Sequence, residues 1–309
     1  MTRIGIIGTG HVGAHTGYAL AIQGIGDEII LTDVKDHKLN SERQDLFDTA
    51  VYYPHRVRIS TGSYEDLADC DLIINAAGKV DLLIGNNDRT TELRYTIPQV
   101  RIWAPRLKEA GFHGLILNIS NPCDVVTREI VRIMELPKGH VFGTGTGLDT
   151  ARLNARIADT INVDPRSVSA YMLGEHGNAQ FADWSCVSIG GVPLEHTGYE
   201  FDRKATEDKA RQGGWITFNG KQCTEYAIAT TAARMTSTVI HDEKTVLAAS
   251  TLLNGEYGEE GLFIGVPCII GKDGAEKVME LPLSEEEMAK FHSCAASIRA
   301  NMDIADHLA

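Results

Sequence analysis

The chain has 309 residues, with 29 Lys and Arg against 42 Asp and Glu. The resulting net charge of −13 argues against nucleic acid and anionic membrane surfaces as partners. No apolar run is long enough to span a bilayer, and Ile4-Gly5-Ile6-Ile7 after Met1-Thr2-Arg3 is too short for a secretion signal. Cys70, Cys123, Cys186, Cys223, Cys268 and Cys294 are scattered without CxxC spacing. They read as reduced thiols of a cytoplasmic protein, so the formal sequon at Asn118-Ile119-Ser120 is discarded.

Residues 4–7 predict a short strand, Gly8-Thr9-Gly10-His11-Val12-Gly13 a turn, 14–22 a helix, and 28–33 a second strand closed by an acid. Strand, glycine turn, helix and strand form the context in which GxGxxG becomes a dinucleotide fingerprint. Gly8 allows the tight turn, Gly10 admits a pyrophosphate to the backbone, and Gly13 lets helix and strand pack, with the helix N-terminus facing the anion. Asp33 stands twenty residues after Gly13, where a carboxylate accepts both ribose hydroxyls and repels the 2′-phosphate of NADP; NAD is expected. Taken alone, the turn also suits a methyltransferase or a plain α/β domain. His11 and His15 are four apart but have no third ligand or HExxH-type glutamate, so no metal site is expected.

Residues 35–49 predict a polar helix, with further strands at 56–60 and 71–77, the second ending Asn75-Ala76-Ala77-Gly78. The stretch from Lys79 to Arg89 mixes Gly, Asn and Asp with exposed aliphatics, as in a mobile flap. Arg89 reads either as a solvated helix-start charge or as a cation that swings in to polarise a carbonyl. A helix at 95–110 and a strand at 114–119 lead to Ser120-Asn121-Pro122-Cys123-Asp124. Asn121 is there either a ligand-facing side chain at a strand's carboxyl end or a helix cap. The last strand of this half is expected at 140–144. Domain boundaries are set at 1–143 for cofactor binding and 144–309 for substrate and catalysis.

Gly145-Thr146-Gly147-Leu148-Asp149-Thr150-Ala151-Arg152 opens a helix, with Asp149 and Arg152 on one face. They form either an intrahelical ion pair or two groups that face different partners. After the apolar run 168–173 comes Gly174-Glu175-His176-Gly177, a histidine between glycines; alone it is an ordinary loop histidine. The remaining expectations are a strand at 181–189, a polar helix at 197–213, and an Ala/Thr-rich helix from Gly220 to about His241. Strands at 246–253 and 261–270, a hairpin at Lys272-Asp273-Gly274-Ala275, and a capping box at Ser284-Glu285-Glu286-Glu287 complete the chain.

These motifs, Gly8–Gly13 with Asp33, Ser120-Asn121-Pro122, Gly143-Thr144-Gly145 with Leu148–Arg152, and Gly174–Gly177, resemble the NAD-dependent L-lactate/L-malate dehydrogenase superfamily over essentially the whole chain. The resemblance looks closest to the L-2-hydroxyisocaproate dehydrogenase branch. It implies a Rossmann doubly wound parallel sheet followed by an α+β substrate domain, with the active site in the cleft between them. It also implies His176 as acid/base, Asp149 as the carboxylate that fixes its tautomer, and Arg89 as the flap cation on the carbonyl oxygen. Arg152 would clamp the substrate carboxylate, Asn121 would touch nicotinamide ribose and substrate, and Thr224 and Ile228 would line the pocket. Gly8, Gly10, Val12, Gly13, Asp33, Ala77 and Gly78 would hold NAD. A homo-oligomer, dimer or tetramer, is implied as well.

The chain departs from the pattern in several places. Asn178 replaces the usual Asp. No arginine lies between Gly78 and Arg89, where Val80, Leu82, Leu83, Ile84 and the repelling Asp81 stand instead, so an apolar 2-oxo acid is expected over oxaloacetate. Arg94 is the second match for the flap cation. Asn154 and Ser169 occupy the positions of the Arg and His of sugar-bisphosphate-activated enzymes, so no such activation is expected. The expected reaction interconverts an (S)-2-hydroxycarboxylate and its 2-oxo acid. The alternatives are a lactate dehydrogenase acting on pyruvate and an NAD-binding sensor without turnover.

Overall fold

The computed structural model describes residues 1–83 and 90–308. Strands and helices alternate in the first half: β1 (Arg3–Ile7), α1 (His11–Gln23), β2 (Glu28–Thr32), α2 (Asp36–Thr49), β3 (Arg58–Thr61), β4 (Leu72–Asn75), α3 (Thr90–Glu109), β5 (Leu115–Asn118), α4 (Cys123–Met134) and β6 (Val141–Gly143). The six strands lie parallel in the order β3-β2-β1-β4-β5-β6. Every residue of β2 and β4 is buried, because helices cover both faces of the sheet and an interior parallel strand then reads as a continuous apolar run. Alternate side chains enter opposite layers. Leu72 and Ile74 join the core under α1, whereas Ile73 joins the core under α3 and α4. Strand order reverses between β1 and β4, which opens a crevice at their carboxyl ends.

The second half contains α5 (Gly147–Ile161), β7 (Val168–Ser169), β8 (Met172–Leu173), β9 (Phe181–Ala182), β10 (Ser188–Ile189), β11 (Val192–Pro193), α6 (Arg203–Lys221), α7 (Tyr226–Ile240), β12 (Thr245–Asn254), β13 (Glu260–Gly271), β14 (Gly274–Val278) and α8 (Glu285–Asp306). Strands β12, β13 and β14 run antiparallel, and β12 meets β6 at Ser250 and Gly143. One nine-stranded sheet therefore continues through Gly143, where the sequence reading cuts the chain.

Three elements differ from expectation. The segment 181–189 is two short strands in separate sheets, not one. Between them the Cys186 N–H closes a turn onto the Asp183 carbonyl at 2.7 Å, and the Trp184 indole reaches Glu207 at 2.8 Å. Helix α6 runs past Gly213 to Lys221, despite a cost of about 1 kcal/mol for a glycine in a helix interior. Helix α7 starts at Tyr226 and not Gly220, because Gln222 adopts a left-handed φ of 62° and ends the preceding helix. The capping box at Ser284 and Glu287 is present as expected, and Glu287 also accepts the Ser185 N–H at 3.0 Å.

Asp183 is buried at 1% exposure. Its Oδ1 accepts the Tyr171 N–H at 2.7 Å, while Oδ2 has no partner among the described residues. Burial, opposed by the Tyr171 N–H and assisted by the nearby Glu287 carboxylate, pushes this acid from its ordinary 3.8 up to about 8. The unfolded chain then releases the proton first, so this group's stabilisation is present at low pH and lost as pH rises through about 4 to 8, at roughly 1.4 kcal/mol per pH unit. Asp183→Asn should therefore gain stability relative to the natural protein across that window in urea melts, with the gain levelling off above it. A difference that does not change with pH would contradict this.

Candidate active site

Gly8 follows β1 directly and takes φ +91°. A Cβ there would lie 2.8 Å from the Ala77 nitrogen, and one on Gly13 would lie 1.9 Å from the Gly8 oxygen. The turn is thus closed against the end of β4, and only glycine fits. A Cβ on Gly10 would meet nothing within 4 Å, and α1 begins with neither a side-chain cap nor an acid in its first turn. Unsatisfied peptide N–H groups at an open helix N-terminus make a cradle for an anionic diphosphate. At the end of β2, Asp33 Oδ2 accepts the Thr9 N–H at 2.6 Å and the Thr9 hydroxyl at 3.1 Å, and Oδ1 accepts the Lys35 N–H at 2.9 Å. Asp33 braces the turn and stays half-buried at the crevice. Val12 is half-buried on α1, and Ala77 and Gly78 follow β4, the latter with open space at its Cβ position. These residues fit a dinucleotide.

Asp149 lies in the first turn of α5, where the helix dipole favours an anion. Its side chain is 1% exposed. Oδ2 accepts from His176 Nδ1 at 2.5 Å, and Oδ1 accepts from Arg152 Nη1 at 2.9 Å. The intrahelical ion pair is present, and Asp149 also meets a distant partner: one carboxylate oxygen serves the arginine and the other serves the histidine. Burial would raise this carboxyl, but His176 and Arg152 against it outweigh burial and hold it below the usual carboxylate range.

His176 sits in the loop between β8 and β9. Paired bonds of 3.0 Å between Gly174 and Gly265 pin that loop to β13. The Gln180 amide donates to the Gly177 carbonyl at 2.7 Å, and the Cys294 thiol of α8 donates to Ala179 at 3.0 Å. Arg152 is held on its other side by α6, where Cβ atoms on Gly213 and Gly214 would come within 3.3 and 3.4 Å of its side chain. It opens into a groove of about 390 Å³ shared with Arg156, Asp159 and Lys209. The glycine pair was not singled out from sequence, since two glycines in a polar helix carry no signal without the partner they face.

The other expected residues lie on neighbouring elements or outside the described residues. Asn121 is half-buried after β5, and Pro122, not Asn121, occupies the cap of α4. Thr224 and Ile228 are half-buried on either side of the α7 start. Between them Glu225 is buried, pairs with Lys221, and accepts from His11 Nδ1 at 2.8 Å. Burial would raise the Glu225 carboxyl, and Lys221, His15 and His11 together hold it down. Glu225 is a link that sequence reading missed, because an acid at the head of an Ala/Thr-rich helix looks solvated until His11 is placed beside it. His15 donates to the His11 carbonyl at 2.7 Å, and no group of three metal-ligating side chains occurs among the described residues. Arg89 lies outside the described residues, and Arg94 is exposed on α3. Asn154 and Ser169 line one groove of about 430 Å³.

Comparison with known proteins bears on the family and the fold. Residues 2–143 match the family model of the lactate/malate dehydrogenase NAD binding domain, and residues 146–308 match that of the alpha/beta C-terminal domain. An L-lactate dehydrogenase of Fusobacterium nucleatum is 36% identical, over 98% of this chain and 96% of its own. The minor L-lactate dehydrogenase of Enterococcus mundtii, solved with ligands bound, superposes with a TM-score of 0.90 at 33% identity, over 98% of each chain. A lactate dehydrogenase from a Medee basin deep-sea metagenome library superposes with a TM-score of 0.93 at 31% identity, over 99% of each chain. With family models matching both halves of the chain and relatives matching nearly all of it, the chain belongs to the lactate/malate dehydrogenase family and is an NAD-dependent L-2-hydroxyacid dehydrogenase.

Proposed function

We propose that this protein interconverts pyruvate and L-lactate with NAD, in the cytoplasm and as a homo-oligomer. The observation that carries the reading is the single Asp149 carboxylate joining His176 and Arg152 in a chain that also carries a dinucleotide turn. When bound, NADH supplies the hydride that reaches the carbonyl carbon of the 2-oxo acid. His176, with Nδ1 held by Asp149, presents Nε2 and gives its proton to the carbonyl oxygen; in the oxidation direction the same nitrogen takes that proton back. Arg152 keeps further N–H groups beyond the one on Asp149, and its planar fork suits a substrate carboxylate. Asn121 touches the nicotinamide ribose and substrate, Thr224 and Ile228 line the pocket, and Arg89 stabilises charge on the carbonyl oxygen. The turn at Gly8, Gly10, Val12 and Gly13, with Ala77 and Gly78, cradles the diphosphate side, and Asp33 takes the ribose hydroxyls. The domains divide at Gly143.

The names of the relatives put pyruvate ahead of the branched 2-oxo acid expected from sequence. A larger apolar 2-oxo acid is the second reading, supported by Val80, Leu82, Leu83 and Ile84 in a flap that carries no second arginine. Six free cysteines, five of them buried, support a reducing compartment. Exposed Tyr18, Ile22, Ile216 and Tyr226 support burial of surface in an oligomer.

His176→Ala should lower kcat by about 10²–10⁴-fold while NADH still binds, as read by fluorescence titration. Unchanged turnover would end the acid/base assignment. Arg152→Lys should raise the pyruvate KM roughly tenfold or more, since a charge-assisted bond contributes about 1.5–3 kcal/mol; an unaltered KM removes the carboxylate clamp. For the natural protein, kcat/KM with NADH should be highest for pyruvate, lower for 2-oxoisocaproate and lowest for oxaloacetate, and poor throughout with NADPH. A preference for 2-oxoisocaproate would select the second reading, and NADH binding without oxidation by any 2-oxo acid would leave only a sensor.

A further inference from the structure

A second carboxyl lies beneath the catalytic loop. Asp124 stands in the first turn of α4, three residues after Asn121, and is 2% exposed. Its Oδ1 accepts the Ser250 hydroxyl at 2.6 Å from the middle of β12, and the peptide N–H of His176 points to the same carboxyl. Helix α4, the catalytic loop and the strand that continues the sheet thus meet on one side chain. From the loop it faces the Glu175 carboxylate and the His176 imidazole; from β12, the neutral Ser250; from α8, the Cys294 thiol; and from its own helix, the Cys123 thiol. Glu175 turns toward α8, where it accepts from the Ser297 hydroxyl at 3.1 Å and the Asn301 amide at 3.2 Å. Among these neighbours His176 alone can carry positive charge.

We propose that Asp124 is a positioning residue for the acid/base step, holding the backbone of the catalytic loop and setting, through its own charge, how firmly His176 keeps its proton. The inference rests on His176 being the acid/base. Burial, against the Ser250 hydroxyl and with the help of Glu175, pushes the Asp124 carboxyl up to about 7, so its charge changes near neutrality. Ionised, it adds negative charge near the imidazolium and favours it. Neutral, it leaves that task to Asp149, and the two titrations are coupled.

The test is the pH profile of kcat in both directions from about pH 5.5 to 9, with NADH affinity and Tm measured alongside. Asp124→Asn is nearly isosteric, keeps an oxygen to accept a hydrogen bond, and cannot ionise. The limb on which pyruvate reduction falls off should move to lower pH by roughly half a unit to one unit, and the rising limb of lactate oxidation should move with it. Ser250→Ala, which removes the hydroxyl that steadies the anion, should move both limbs the same way by a smaller step. A merely structural Asp124 would lower Tm or kcat and leave the limbs where the natural protein has them; that result overturns the proposal. If Asp124→Asn does not fold, unmoved limbs in Ser250→Ala overturn it equally. A natural protein that turns over no 2-oxo acid refutes the dehydrogenase reading itself, whereas unmoved limbs in an active variant refute this inference alone.

Discussion

A carboxylate taken out of water is stable as an anion only if donors and cations surround it, and Asp149 meets that condition with His176 on one oxygen and Arg152 on the other. His176 and Arg152 are therefore held by the same charge that they stabilise. Removing either partner would leave the buried anion with one cation in place of two, a loss bounded by the about 3–5 kcal/mol of a fully broken buried pair, so the fold and the chemistry share one requirement. Much of the local architecture serves it. The α5 N-terminus favours the anion, the Gly174–Gly265 bridge fixes where the histidine loop starts, and the glycines at 213 and 214 let α6 lie against the arginine.

The sheet also ties the two halves of the chain together. The sheet does not stop at Gly143 but is extended by β12, so the strand ends that form the crevice and the strand beneath the catalytic loop belong to one body. Two polar links cross the same region. His11 in the glycine turn pairs with Glu225 at the head of α7, next to Thr224, and Asp124 in α4 meets Ser250 in β12. A shift of either half relative to the other would break contacts between largely buried acids and their partners, which is the physical basis for treating the site as preorganised.

Much of this was legible in the sequence because the relevant signals are local. The glycine turn, the acid after β2, the capping box at Ser284 and the 3.6-residue spacing that sets Asp149 and Arg152 on one face all depend on neighbours within a turn or two of chain. Where chain-distant partners intervene, the reading failed. The expected strand at 181–189 is interrupted because Trp184 and Ser185 are drawn to Glu207 and Glu287, and no local pattern announces acids 23 and 102 residues away. The end of α6 was misplaced because glycine's usual meaning as a helix stop yields to the packing of Gly213 and Gly214 against Arg152.

Resemblance of its motif, not spacing, marked His176; the residue types and their spacing alone determined the parallel alternation of strands and helices, the preference for NAD and the placing of Asp149 and Arg152 on one helical face. These follow from backbone sterics, side-chain charge and helical periodicity, which a sequence carries in full. Only the tertiary structure decided that Asp149 serves both of its partners at once, that Glu225 joins the cofactor turn to α7, and that Asp124 lies under the catalytic loop within reach of Ser250, 126 residues further on. Burial and through-space charge arise from contacts between distant segments, and no window of sequence contains both members of such a pair.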